Sequence, residues 1–146
     1  MKLKVKEFQH SDNEIYSSWF ENPDMERFMG PAWSEDELDQ ISNENDGVVL
    51  SVFSSNNLVG VVSLAFPNKE NSNYGITGIS IAPHMQRQGV GGKVLEALRE
   101  HFNTSSWQLW SAFVSTQNIN AQKFMLKYGW RQTGEESEMY KFTYKQ

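Results

Sequence analysis

Residues 74–102 read YGITGISIAPHMQRQGVGGKVLEALREHF. Ile76, Ile79 and Ile81 give this stretch a β-branched strand signal. Pro83 ends the strand, because proline has no N–H to give to a ladder. Val90, Val94 and Leu98, then His101 or Phe102, follow at helical spacing with Leu95 beside them, so a helix begins near Gly89. Three glycines, Gly89, Gly91 and Gly92, therefore sit where a helix opens just after a strand. The first N–H groups of a helix have no intrahelical acceptor, and the helix dipole adds partial positive charge at the same end. Glycine has no Cβ to hold a ligand away. Strand, turn and helix in this order make an anion site suited to a phosphate or pyrophosphate. The same glycines also suit an ordinary turn or a tight helix–strand contact, and the cluster alone does not decide between the two.

The spacing narrows the choice of ligand. A P-loop needs Ser or Thr after its lysine, and Val94 follows Lys93. The dinucleotide fingerprint G-x-G-x-x-G matches at Gly89 and Gly91, but Val94 holds its third glycine position and no acidic residue follows about 20 residues later. The pattern Q/R-x-x-G-x-G/A does fit, as Gln86-Arg87-Gln88-Gly89-Val90-Gly91 after a strand that ends in proline. In this setting it resembles motif A of the GCN5-related N-acetyltransferases, the GNAT superfamily.

The 146 residues suffice for one domain with a real core. No apolar run approaches the roughly 18 residues of a membrane span, and the opening MKLKVKEFQHSDNE has no apolar core of the kind a secretory signal needs. The chain has no cysteine, which rules out disulfides, thiolate metal sites and a cysteine nucleophile and suits a reducing cytoplasm. His10, His84 and His101 are too scattered to suggest a metal site. Net charge is −5, and Lys and Arg do not cluster after the first six residues, so nucleic acid is not an expected partner. A mildly acidic surface is compatible with a cationic substrate such as an amine.

Taken in order, the chain predicts a first strand from Leu3 towards Phe8 and a helix capped near Ser11-Asp12, with Ile15, Tyr16, Trp19 and Phe20 on one face. Asn22-Pro23 interrupts that helix. Met25–Trp33 predicts a short helix or turn and a loop. Ser34 caps a helix with an acidic first turn that runs to about Asn43. After a turn at Asn45-Asp46-Gly47, Val48–Phe53 and Leu58–Phe66 form a hairpin around residues 54–57. Beyond the opening stretch, Thr104-Ser105-Ser106 closes the helix and Trp107–Val114 reads as a strand. Asn118 starts a helix with Ala121, Phe124, Met125 and Tyr128 on its apolar face, and Gly129 stops it. Trp130–Thr133 and Met139–Tyr144 form a last pair of strands around Gly134-Glu135-Glu136. The order β-α-α-β-β-β-α-β-α-β-β argues for an α/β domain with a mixed sheet. It is also the GNAT order, which implies a single GNAT-like domain over residues 1–146, with a mixed, mostly antiparallel sheet of about seven strands flanked by about four helices.

A second motif strengthens the resemblance. Asn118-x-x-Ala121-x-x-Phe124, with Gly129-Trp130 starting eleven residues after Asn118, resembles the N-x-x-A-x-x-x-Y-x-x-x-G-F pattern that closes the GNAT cofactor site. The resemblance implies acetyl-coenzyme A as cofactor. Carried over by position, it implies that the backbone of Ile79, Ser80 and Ile81 binds the pantetheine amides in strand fashion. It implies that Arg87, Gln88, Gly89, Val90, Gly91 and Gly92, in the motif that Gln86 opens, offer N–H groups to the pyrophosphate, and that Asn118 bonds the pantetheine arm. The implied reaction is direct attack of a small-molecule or peptide amine on the thioester, with a backbone N–H, that of Ile81, stabilising the oxyanion. An unperturbed alkylammonium has a pKa of about 10, so the amine must first lose a proton. The family reading is compatible with a homodimer, a cytoplasmic location and no membrane partner.

The chain departs from the pattern at the chemistry. The position of the family's usual acid, a tyrosine, is Met125, and that of a glutamate base found in some members is Phe113. Tyr128 is three residues late and suits core packing. Tyr74, Glu26, Ser115 and Tyr140 are substitutes by residue type alone, and no catalytic acid or base is assigned. The acceptor side would come from residues 19–33, with Trp19, Phe20, Phe28 and Trp33 lining a pocket and Asp24 or Glu26 holding a cation; the same residues also read as aromatic core and solvated acids. Two further readings stay open: an acyl-CoA sensor that does not turn over, and an unrelated nucleotide-binding α/β domain.

Overall fold

A computed structural model describes residues 2–29, 31–43, 46–70, 72–102 and 110–144. The elements run β1 (Leu3–Glu7), α1 (Asn13–Trp19), α2 (Pro23–Met29), α3 (Glu35–Asn43), β2 (Gly47–Ser54), β3 (Asn57–Ala65), β4 (Tyr74–Ile81), α4 (Val90–His101), β5 (Trp110–Ser115), α5 (Ile119–Lys127), β6 (Trp130–Glu136) and β7 (Met139–Tyr144). Short 3-10 turns lie at His10–Asp12 and Pro83–Met85. The fold is the expected α/β architecture with one seven-stranded sheet, ordered β1-β2-β3-β4-β5-β7-β6. Every neighbouring pair is antiparallel except β4 and β5. Val90, Val94, Leu95 and Leu98 of α4 and Met125 of α5 pack on one face of the sheet, with Ile76, Trp110, Trp130 and Phe142. Tyr16 and Trp19 of α1, Met25 of α2 and Leu38 of α3 pack on the other, over Val49 and Val61.

One irregularity shapes the middle of the sheet. Ser63 pairs with Gly78 and Leu64 with Ile76, so Thr77 is an extra residue on β4. Strand side chains alternate faces, and Ile76 and Ile79 are three apart. The bulge resets the alternation, so Ile76, Ile79 and Ile81 all pack towards α4 and α5. The Thr77 hydroxyl anchors it by donating to the Ser63 carbonyl (3.2 Å) and lying 2.7 Å from the Ser63 hydroxyl. β4 then leaves β5, because the parallel pairing covers only Tyr74–Ile76 against Trp110–Ala112.

Several expectations change in detail. The described residues form five α-helices, close to the expected four, with α2 a helix of its own that begins at Pro23. In α1 the buried pair is Tyr16 and Trp19, whereas Ile15 is 49% exposed, because a seven-residue helix turns only one narrow face to the sheet. β6 runs through Gly134 to Glu136, and the hairpin turn is Ser137-Glu138, both with positive φ as a tight hairpin requires. A bulge between Gln132 and Gly134 keeps that hairpin in register. Tyr74 stacks on Trp110. Residues 103–109, and with them the predicted helix end and the start of the predicted strand at Trp107, lie outside the described residues, as does Asn45.

Two buried polar groups fasten the helical layer of α1–α3. The Asp12 carboxylate accepts the Gln9 N–H at 2.9 Å and the Ser51 hydroxyl of β2 at 2.9 Å. The Tyr16 hydroxyl accepts the Trp33 N–H at 3.0 Å and pairs with the Ser80 side chain. The Tyr16 and Trp33 rings lie nearly parallel at 18°. Burial pushes the Tyr16 phenol above its usual value of 10.0, and the Glu37 carboxylate acts in the same direction against the two hydrogen bonds.

Asp12→Ala is expected to cost about 1–3 kcal/mol, because it removes a cap and strands a buried hydroxyl; urea midpoints against wild type measure it. A raised phenol pKa means that the folded state holds the proton more tightly than the unfolded chain. The stability it contributes is whole below about pH 10 and is lost as the pH rises through the folded value. Denaturation series between about pH 9 and 11 are therefore expected to show a steeper loss in wild type than in Tyr16→Phe.

Candidate functional site

The splay of β4 from β5 creates the site. The Ala82 N–H donates to the Val59 carbonyl, continuing the β3–β4 ladder. Backbone groups alternate sides along a strand, so the N–H groups of Ile81 and Ile79 face away from β3, towards the gap that β5 has left. Beyond Ile76 this edge has no strand partner among the described residues. The Gln86 carboxamide donates to the Ile81 carbonyl at 3.0 Å and lies 2.9 Å from the Met25 sulfur, tying the end of β4 to α2.

The edge leads directly to the glycine turn. Arg87 and Gly89 both have positive φ, 63° and 75°, and Gly89 is the N-cap of α4. The Lys93 N–H is bonded to the Gly89 carbonyl, so the N–H groups from Gly89 to Gly92 come before the first turn of the helix closes. A Cβ built on Gly89 would meet nothing within 4 Å, which leaves the approach to these N–H groups open.

The other two glycines serve packing. A Cβ on Gly91 would lie 2.6 Å from the Phe124 ring, and one on Gly92 would lie 2.5 Å from the Tyr128 ring. These two positions let α5 sit close against the start of α4, so the glycines there serve a helix–helix contact instead of the expected turn or helix–strand contact.

Two clefts open from the splay. The first, about 430 Å³, is lined by Ile79, Ile81, Met85, Gln86, Arg87, Gly89, Val90, Gly91, Asn118, Asn120, Ala121, Phe124, Lys127 and Tyr128. The second, about 380 Å³, lies on the α1–α3 side and takes in Tyr16, Trp33, Glu37, Thr77, Ser80, Phe113, Ser115, Met125 and Met139. Ile79, Asn118, Ala121 and Phe124 line both. Asn118 is the N-cap of α5, and its side chain accepts the Ala121 N–H at 3.0 Å.

Most residues singled out in the sequence come together here, with exceptions. Ser80 opens to the second cleft and bonds Tyr16. The Gln88 side chain turns back to donate to the His84 carbonyl at 2.9 Å, and Gly92 lies under Tyr128. Tyr128 packs half-buried against the core, as expected, and also forms part of the wall of the first cleft. Met125 and Phe113 both reach the second cleft, as does Ser115. Tyr74, Glu26 and Tyr140 line neither cleft among the described residues. Trp19 is core and Phe20 packs on Tyr16, leaving Trp33 as the one expected aromatic that lines the second cleft; the Phe28 side chain lies outside the described residues. Asp24 and Glu26 do not line it, whereas Glu37 does. Glu37 and Tyr16 were missed because their local signals, a capping box and an amphipathic face, read as structural.

The comparisons agree with this architecture. No curated protein sequence matches the chain. Among solved structures, an acetyltransferase from Thermus thermophilus superposes with a TM-score of 0.75 at 15% identity, covering 98% of this chain and 96% of that one. Spermidine N-acetyltransferase from Vibrio cholerae, in complex with CoA and spermine, gives 0.68 at 19% identity over 96% and 93% of the two chains. PaiA N-acetyltransferase from Thermoplasma acidophilum, in complex with coenzyme A, gives 0.65 at 15% identity over the full length of both. Residues 7–130 match the profile of the acetyltransferase (GNAT) family, spanning the splayed strands, the glycine turn and the Asn118 helix, and the chain belongs to that family.

Proposed function

We propose that this chain transfers an acetyl group from acetyl-CoA to a primary amine of a small molecule. The observation that carries the reading is the unpartnered edge of β4, which runs into an open helix N-terminus on one side and a second cleft on the other. An extended arm bearing amides can pair with that edge as a strand would. Its pyrophosphate would meet the N–H groups around Gly89, with Arg87 and Lys127 supplying positive charge in the same cleft. The residues present fit this co-substrate: the turn is open where the phosphates would approach, and the cleft is lined by cations and amides. Coenzyme A in two of the similar structures supports the same choice.

Acetyl-CoA supplies an activated acyl carbonyl. The neutral amine nitrogen forms the new C–N bond and gives up one proton, the C–S bond breaks, and the departing thiolate takes up a proton, leaving an amide and a free thiol. In this reading the Ile81 or Ile79 N–H, both turned to the splay, offers a hydrogen bond where negative charge develops on oxygen. Asn118 holds the start of α5 at the junction of the clefts. Tyr16, Trp33 and Ser80 shape the acceptor side. The acceptor amine enters from the second cleft and reaches the junction at Ile79, which lines both.

A second reading is a chain that binds acyl-CoA without turnover. It is favoured by Met125 and Phe113, two side chains without a transferable proton, in the second cleft. Thiol release across a panel of primary amines separates the readings.

A thermal-shift titration is the first test. At about 100 times its dissociation constant, acetyl-CoA is expected to add about 2.7 kcal/mol of stability, with coenzyme A similar and ATP and NAD inert. No shift with either coenzyme A form, in a folded sample, would sink both readings. Gly91→Val is expected to drive the Phe124 ring into the cleft and weaken coenzyme A at least tenfold, with far-UV circular dichroism as the check on folding. Normal binding by that variant would place the ligand elsewhere.

A further inference from the structure

The two clefts differ in charge. Among the described residues, the first carries Arg87 and Lys127 and no acid, whereas the second carries Glu37 and no Lys, Arg or His. Glu37 is thus the one acidic or basic residue among the described residues that line the second cleft. It is held in place: its Oε1 accepts the Ser34 N–H at 3.0 Å, and its own N–H donates to the Ser34 hydroxyl at 3.1 Å. This reciprocal cap fixes the carboxylate at the start of α3 and leaves its other oxygen for a further donor. Its field reaches the Tyr16 phenol, so the charge acts at the cleft wall. The neighbouring acid Glu35 contacts His10 and lines a different surface hollow, so the first turn of α3 turns one of its carboxylates to the cleft.

The wall beside Glu37 is aromatic. Trp33 lies against β4 so closely that a Cβ on Gly78 would come within 2.2 Å of its ring. The Tyr16 hydroxyl holds the Trp33 backbone from below. A carboxylate held by a cap and an aromatic ring that line one cleft suit an ammonium group, through a charge-assisted hydrogen bond and attraction to the ring. An ammonium seated there is charged and therefore cannot be the nucleophile, which must be a neutral amine at the junction of the clefts.

We infer that Glu37 is the specificity-determining residue of the acceptor cleft, selecting amines that carry a second cationic group, which it seats against Trp33. This rests on the proposed amine transfer and deepens it.

The test compares acceptors of similar length: 1,4-diaminobutane, n-butylamine and 4-aminobutyrate, each with acetyl-CoA and followed by thiol release. Wild type is expected to rank them in that order by kcat/KM. Glu37→Gln keeps the cap and removes the charge, and is expected to shrink the diamine-to-monoamine ratio about tenfold. Glu37→Lys is expected to reverse the order of the diamine and 4-aminobutyrate. The coenzyme A thermal shift reports that each variant is folded. A ratio unchanged in Glu37→Gln, with turnover intact, overturns the seat and leaves the transferase reading standing. If no acceptor is turned over, calorimetric binding of the same three amines to the coenzyme A-loaded protein decides. Diamine binding that falls about tenfold in Glu37→Gln upholds the seat while the transfer reading falls. Equal binding by both proteins overturns the seat.

Discussion

The rest of the structure depends on a hydrogen-bond ladder that stops early. β4 and β5 share three register positions and then part, and a sheet that parts in its middle needs a reason to stay open. The Thr77 bulge bends β4 at that point. Trp33 fills the space over Gly78 on one face, and α5 reaches the junction on the other with Phe124. Trp33 and Phe124 line the cleft between the parted strands, and the polar edge of β4 faces that gap. Both clefts follow from that, as does the position of the glycine turn at the far end of the strand.

The two helical layers divide the labour. α4 and α5 carry much of the apolar core, and Gly91 and Gly92 trim the start of α4 so that aromatic rings of α5 can reach the cleft wall. α1, α2 and α3 cover the opposite face with a smaller core, into which two hydroxyl–carboxyl or hydroxyl–amide links are built. Tyr16 belongs to both categories. Its ring is buried among Phe8, Trp19 and Phe20, and its oxygen holds the strap that bears Trp33.

Much of this was legible in the sequence, and the limits have physical causes. The strand, proline, glycine turn and helix of residues 74–102 carry local signals strong enough to be read directly, and the order of elements followed from periodicity. The odd spacing of Ile76 and Ile79 contained the bulge, but a three-residue step is ambiguous until a partner strand fixes which residue is extra. The hairpin of β6 and β7 was misplaced because Gly134 reads as a turn, whereas the register needed a bulge there and the turn fell on Ser137-Glu138. The acceptor side was the least legible. Glu37 announces itself only as a capping-box residue and Tyr16 only as core; that both line one cleft, with Tyr16 bonded to Ser80, arises from the packing of α1 and α3 on the sheet. The aromatic segment before Trp33 drew attention by composition, while what counted was which ring found a glycine to rest on.

The open edge of β4 has a consequence for how the chain behaves in a crowd. An exposed strand edge invites pairing with other chains, and proteins blunt such edges with charge, proline or cover. β1, at one border of the sheet, alternates lysines along its length. The edge at Ile79 and Ile81 needs no such device, because it lies inside a wedge whose walls are its own sheet and helices. The fold thus keeps its unpaired hydrogen-bonding groups in the middle of the sheet, away from the borders at which two chains would meet.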